Sequence, residues 1–268
     1  MVVEATPLEQ LFTRTKSENR AALIGYLPAG FPTIEGSALV IAAMIDGGVD
    51  AIEIGFPYSD PVMDGPVIQD AADLALKNGT GAADVFELLA STTKLGVPAV
   101  IMTYWNPIER YGVDAFAEAL KKAGGSGAIT PDLTIEESSR WASAAEQSEI
   151  NRIYVVAPST SESRMPLVTS QCSGFIYAAS LMGVTGTRNA VSGDAQSLVA
   201  RIRSTSTLPI AVGLGVSTEG QAREVAKYAD GVIVGSAFIR EVQESATIEE
   251  ACARVKELAK QLAHGVRR

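Results

Sequence analysis

The stretch VDAIEIGFPYSDPVMDGP, residues 49–66, changes character at its middle. After Asp50 its first half is a short apolar run broken only by Glu53, as expected of a strand buried on both faces. Its second half is dense in Pro, Gly and Asp and reads as a constrained loop. A buried strand that ends in such a loop is the repeating unit of a parallel α/β sheet. Outward from this segment the unit recurs: LIGYLP at 23–28, PAVIMTY at 98–104, GAIT at 127–130 and NRIYVVAP at 151–158. GFIYAAS at 174–180, PIAVGLG at 209–215 and GVIVGS at 231–236 complete the set. Amphipathic segments such as IEGSALVIAAMIDGG (34–48) and TEGQAREVAKYAD (218–230) lie between them. Thr134 with Glu137, and Thr247 with Glu250, have the spacing of capping boxes at helix starts.

Eight strands, each followed by a helix, predict a closed (β/α)8 barrel, an α/β TIM barrel, and 268 residues suit it. An open doubly wound sheet would carry GxGxxG after the first strand, where this chain reads AGFPTIEG (29–36). Residues 1–17 are expected to form an extra helix closing the bottom of the barrel. SAFIREVQES (236–245) is expected to be a short helix after strand 8. No linker or composition shift divides the chain, so residues 1–268 read as a single barrel domain.

Composition removes several kinds of function. The net charge is −9 and no basic block stands out, which argues against nucleic acid as a partner. Cys172 and Cys252 match no metal spacing and no disulfide framework. No apolar run approaches a membrane span and the start lacks a secretory pattern, so a cytoplasmic protein with no membrane contact is expected. The one histidine, His264, sits in the C-terminal tail. A histidine triad, a histidine general base or a histidine-ligated metal would each depend on that residue, so no metal site is expected.

In a (β/α)8 barrel, function sits at the C-terminal strand ends. Glu53, between Ile52 and Ile54, is a carboxylate inside a strand, where packing has no use for a charge. Burial would raise its pKa and let it pass a proton in either direction near neutral pH. The following loop brings Asp60 and Asp64. Asp64, beside Gly65-Pro66, is the expected partner of Glu53 in an acid–base pair. Asp60 reads equally as a functional group or as a solvated turn residue. Gly186, Gly215, Gly235 and Ser236 lie at the ends of strands 6, 7 and 8, where barrels seat phosphate on backbone N–H groups. Tyr26, Met102, Ile129, Tyr177 and Leu214 together could line a flat apolar pocket beside that phosphate, although each alone reads more readily as ordinary core. The Gly-rich SLMGVTGT after strand 6 could be a lid, bringing Thr185 to a loop carboxylate. No lysine falls at a strand's C-terminal end, which disfavours a Schiff-base aldolase. Cofactor-free proton transfer by carboxylates on a phosphorylated small molecule remains.

The segment DAIEIGFPYSDPVMDGPVIQDA (50–71) resembles the signature of the tryptophan synthase α subunit family. GYLPAGFP, MTYWNP, GVTGTR, VGLGVS and VIVGSA fit the same family in order, over essentially the whole chain. Met63 departs from the Ala common before the family's second carboxylate, and DLTIEE from the common DLPPEE. The resemblance implies a lyase of tryptophan biosynthesis that cleaves indole-3-glycerol phosphate to indole and glyceraldehyde 3-phosphate. It implies Glu53 and Asp64 as the catalytic carboxylates. Gly186, Gly215, Gly235 and Ser236 would be the phosphate cradle, and Thr185 the lid threonine. Tyr26 and Tyr177 would line the pocket. Asp60 would contact the partner or support closure. It further implies no cofactor in this chain, and an αββα complex with a β subunit that carries pyridoxal phosphate. The loops near Pro57 to Asp60 and Asn106 to Arg110 would face that β subunit. Another phosphate-binding barrel, or an indole-releasing lyase acting alone, stays open on the residues themselves.

Overall fold

The protein is described by a computed structural model covering residues 5–179, 188–213 and 215–268. Eight strands run parallel: β1 Ala22–Pro28, β2 Ala51–Gly55, β3 Ala99–Met102, β4 Gly127–Ile129, β5 in two segments, β6 Ile176–Ala179, β7 Ile210–Gly213 and β8 Gly231–Val234. The segments of β5 are Asn151–Ile153 and Val155–Val156. The first pairs with β4 and the second with β6. Around the sheet the order runs β5, β4, β3, β2, β1, β8, β7, β6 and back to β5. The sheet therefore closes through one strand, as the (β/α)8 expectation requires. At the break, the Tyr177 N–H donates to the Tyr154 carbonyl at 3.3 Å.

Side-chain alternation sorts each strand into two environments. Ala22 and Ile24 of β1, Ala51 of β2, Val100 of β3 and Ile129 of β4 point into the barrel. Ile153, Ala211 and Ile233 complete this interior layer. Leu23, Leu27, Ile52, Ile54 and Ile101 point outward into the larger core beneath the helices. Both faces are dry, which explains strands without the usual polar alternation.

The bottom of the barrel is plugged by helix Pro7–Ser17. Thr6 caps it, accepting from Glu9 N–H at 3.3 Å while the Glu9 carboxylate accepts from Thr6 N–H at 2.7 Å. Leu8, Leu11 and Phe12 drop from this helix into the interior layer, with Phe12 tilted on Phe175 at 5.7 Å between ring centroids. Each such burial contributes about 1.5–3 kcal/mol. Asp50, at the foot of β2, accepts two hydrogen bonds from the Arg20 guanidinium at 2.6 and 2.8 Å and a third from Leu23 N–H at 2.9 Å.

Three local expectations are corrected. The strand expected to run unbroken from 151 is interrupted at Tyr154. One helix per strand is too simple: β2 is followed by Pro66–Lys77 and Ala82–Thr93, and β3 by Trp105–Tyr111 and Val113–Lys122. Gly79 and Gly112, with φ of 84° and 97°, turn the chain between the members of each pair. Thr134 does not form a capping box. It starts only the 3-10 turn Ile135–Glu137, and its hydroxyl donates to the Glu137 carboxylate instead. At Thr247 the hydroxyl does accept from Glu250 N–H, at 3.2 Å, starting helix Ile248–Gly265.

Candidate active site

The C-terminal ends of the strands surround a cavity of about 310 Å³. Its position follows from the register. Tyr26, Glu53 and Val100 are aligned neighbours across β1, β2 and β3. Glu53 stands two residues above Ala51 on the inward face, one layer beyond the packed interior. The cavity begins where that packing stops. Glu53, Tyr26, Met102, Ile129 and Tyr177 line it, together with Val155 and Ile233 from the same layer.

Glu53 is only 2% exposed, and its Oε2 has no hydrogen-bond partner among the described residues. Burial pushes its pKa up to about 8, and the nearby Asp64 adds to the shift. At neutral pH this group holds its proton. Asp64 reaches the cavity from the loop after β2 and is partly buried. Burial raises its pKa too, while a hydrogen bond from the Tyr104 hydroxyl pulls the other way. The two carboxyls thus differ in kind. One is dry and unpartnered, and the other is steadied by a phenol near solvent.

Tyr104 is a residue whose role the sequence reading missed. It is buried, and its hydroxyl accepts from Met63 N–H at 3.1 Å, tying down the loop beside Asp64. Its ring lies against Tyr58 at 5.4 Å, and Tyr58 in turn accepts from the Asn106 amide at 3.0 Å. Asp132 accepts from Trp105 N–H at 2.8 and 3.1 Å, holding the start of helix Trp105–Tyr111. The only signal in the sequence was a tyrosine closing the run PAVIMTY, two residues past the end of β3.

The glycine corner has a second purpose. Gly215, Gly235 and Ser236 do line the cavity, joined by Gly213. A Cβ on Gly213 would stand 2.5 Å from the Tyr177 hydroxyl, and one on Gly235 would stand 2.9 Å from Tyr26 Cδ1. A Cβ on Gly55 would overlap the Tyr26 hydroxyl. These glycines make room for two buried rings, which the sequence reading had not foreseen. Desolvation and the two carboxyls hold both tyrosine pKa values far above the ordinary range, so both hydroxyls keep their protons. Gly235 and Ser236 open helix Ser236–Gln243, and Arg240 from its second turn also lines the cavity.

Asp60 lies apart from the cavity lining, exposed on the rim and accepting from the Ser59 hydroxyl at 2.6 Å. Thr185 and the 180–187 segment, Gly186 and Leu214 lie outside the described residues. His264 serves the exterior, with Nδ1 2.8 Å from the Glu219 carboxylate. Among the described residues no group of His, Cys, Asp and Glu could hold a metal, and no helix is long and apolar enough to cross a membrane. The described lining contains no lysine, so this cavity does not fit a pyridoxal phosphate aldimine.

Fold and site define the class: a (β/α)8 barrel with a carboxyl pair in its C-terminal mouth. The family model for the tryptophan synthase alpha chain matches residues 12–267. The tryptophan synthase alpha chain of Thermobifida fusca is 52% identical over 98% of both chains, and that of Acidothermus cellulolyticus is equally identical over the same shares. Tryptophan synthase from M. tuberculosis, as a crystal structure, superposes with a TM-score of 0.91 at 43% identity, covering 99% of this chain and all of that one. The alpha subunit from Legionella pneumophila gives 0.89 at 29% identity, covering 98% and 99%. The chain belongs to the tryptophan synthase alpha chain family. It is a lyase of tryptophan biosynthesis. The family has no cofactor of its own, pyridoxal phosphate residing in the β subunit that is its partner.

Proposed function

We propose that this chain cleaves indole-3-glycerol phosphate to indole and glyceraldehyde 3-phosphate, with Glu53 and Asp64 as its catalytic groups. The observation that carries the reading is the Glu53 carboxyl, buried, unpartnered and facing a cavity it shares with Asp64. A desolvated acid without a protein partner costs stability. A substrate that completes its hydrogen bonding gives that cost a use.

The reaction needs no electron sink beyond the indole ring. Protonated Glu53 donates to indole C3, and the ring becomes an iminium whose N–H faces the Asp64 carboxylate. Glu53, now ionised, takes the proton from the hydroxyl on the carbon attached to C3. That carbon becomes the aldehyde, the carbon–carbon bond breaks, and its electron pair restores the aromatic ring. Glu53 ends as it began. A pKa near 8 suits a group that must give and then take a proton. The phosphate sits in the corner formed by Gly215, Gly235 and Ser236, with Gly186 as a further contributor, at the start of helix Ser236–Gln243. Tyr26, Met102, Ile129 and Tyr177 flank the indole ring in this reading, which gives Leu214, outside the described residues, the same role. The reading assigns Thr185 the lid role, and Asp60 a contact to the β subunit of an αββα complex or support of closure. This reading takes residues 1–268 as one domain and includes a cytoplasmic location.

The test is indole release from indole-3-glycerol phosphate, measured with and without a β subunit. Release that rises with the β subunit supports lyase and partner together, whereas undiminished release by the chain alone favours an autonomous lyase. No indole under either condition overturns the reaction.

A further inference from the structure

Helix Ser236–Gln243 divides its side chains between core and cavity. Ala237, Phe238, Ile239 and Val242 are buried. Ser236 and Arg240, four residues apart, share the remaining face, and both line the cavity. Arg240 is the only cation in the described lining, which otherwise holds the two carboxyls.

Its pairing state is informative. The nearby acids on this helix and just beyond it are Glu241 and Glu244, and Glu244 is at the i+4 position, within reach of an exposed arginine. Both are taken by Arg254, which donates to Glu241 at 2.6 Å and to Glu244 at 2.8 Å. Arg240 makes no hydrogen bond or ion pair among the described residues. An arginine kept free of its helical neighbours, on the face shared with Ser236, is available for an anion that arrives from solution.

We infer that Arg240 is a specificity-determining residue, contributing a charge-assisted contact to the phosphate group of the substrate. The inference rests on the phosphate placement proposed above and adds a side-chain cation to a corner otherwise made of backbone donors. Arg240 stands one turn along the helix that Gly235 and Ser236 open, so it acts on binding of the phosphorylated tail and the proton transfers stay with Glu53 and Asp64. It also favours phosphorylated substrates over their dephosphorylated counterparts by direct charge recognition.

The test compares the parent with Arg240→Met and Arg240→Lys, each as the full chain with its β subunit. For Arg240→Met, KM for indole-3-glycerol phosphate should rise about tenfold, the loss of one charge-assisted contact, with kcat within about twofold. Calorimetric titration with glycerol 3-phosphate should weaken in parallel, while titration with indole should not change. Arg240→Lys should recover part of the loss, because the charge returns without the planar fork. An unchanged KM and an unchanged glycerol 3-phosphate affinity in Arg240→Met would overturn the inference. So would equal losses toward indole and glycerol 3-phosphate, which would mark a structural role. If the parent binds glycerol 3-phosphate but releases no indole, the lyase reading fails while the anion contact is still tested by the titration.

Discussion

In the proposed reaction, the chemistry and the instability of the site meet in the Glu53 carboxyl. The folded protein keeps its proton up to about pH 8, while the unfolded chain gives it up near the ordinary value of 4.5. Folding therefore takes up a proton between these values, and the contribution of Glu53 to stability falls as pH rises through that window. Glu53→Gln, isosteric and never charged, should be more stable than the parent at pH 8–9 by a few kcal/mol, with the difference vanishing toward pH 4–5. Urea unfolding of both proteins across this range checks it, and a constant difference would contradict the assigned burial. The same variant should lose about 10²-fold or more in indole release while remaining folded. Tyr104 gives a subtler residue-scale expectation. Its hydroxyl lowers the Asp64 pKa and anchors Met63 N–H. In Tyr104→Phe the acidic limb of the pH–rate profile should move to higher pH as Asp64 becomes harder to ionise. A profile that only scales down would leave Tyr104 with a packing role alone.

At the scale of elements, the mouth depends on strands ending in glycine beside tyrosines that need the space. β2 ends at Gly55 and β7 at Gly213, and Gly235 follows β8 directly. Gly213→Ala should displace the Tyr177 ring, costing about 1–3 kcal/mol in stability, with a larger effect on indole release. Because the nearest atom is the Tyr177 hydroxyl, adding Tyr177→Phe should return part of the stability loss, a coupling of about 0.5 kcal/mol or more. Simple additivity in thermal unfolding of the four proteins would dismiss the clash. The two helices after β2 and the two after β3 belong to this scale as well. They position the loop carrying Asp64 and the tyrosines that brace it, and their existence was hidden in the sequence. Each pair is separated by a glycine at positive φ whose need for that conformation arises only from the packing of its neighbours.

For the whole molecule, the two ends of the barrel are built on opposite rules. The bottom is closed by helix Pro7–Ser17 and by the buried Arg20–Asp50 pair, every Asp50 oxygen being occupied. The top leaves a carboxyl oxygen without a partner. Arg20→Gln would leave the buried Asp50 carboxylate only the Leu23 N–H and a 3.5 Å contact to Arg14, and should cost about 3 kcal/mol in chemical unfolding, with KM unchanged. A cost under about 1 kcal/mol would place that pair among ordinary surface bridges. The contrast between the paired Asp50 at the bottom and the unpartnered Glu53 at the mouth is that between a carboxylate used for stability and one held open to the cavity.

The sequence by itself determined the eight buried runs, the closing N-terminal helix, and Glu53 and Asp64 as the acids worth attention. Each is a local signal: apolar runs bounded by turn residues, or a carboxylate where packing has no need of one. It did not reveal the helix pairs after β2 and β3, the brace provided by Tyr104, or the cation at Arg240. Nor did it show that Gly55, Gly213 and Gly235 serve tyrosine rings. Those features arise between residues far apart in the chain. Tyr104 meets the Asp64 loop only because β2 and β3 are neighbours, and Arg240 is left free only because Arg254 comes from a different helix to take its acids. Burial patterns are written along the chain, but the pairing of polar groups is set by which strands and helices become neighbours, and only the closed barrel decides that.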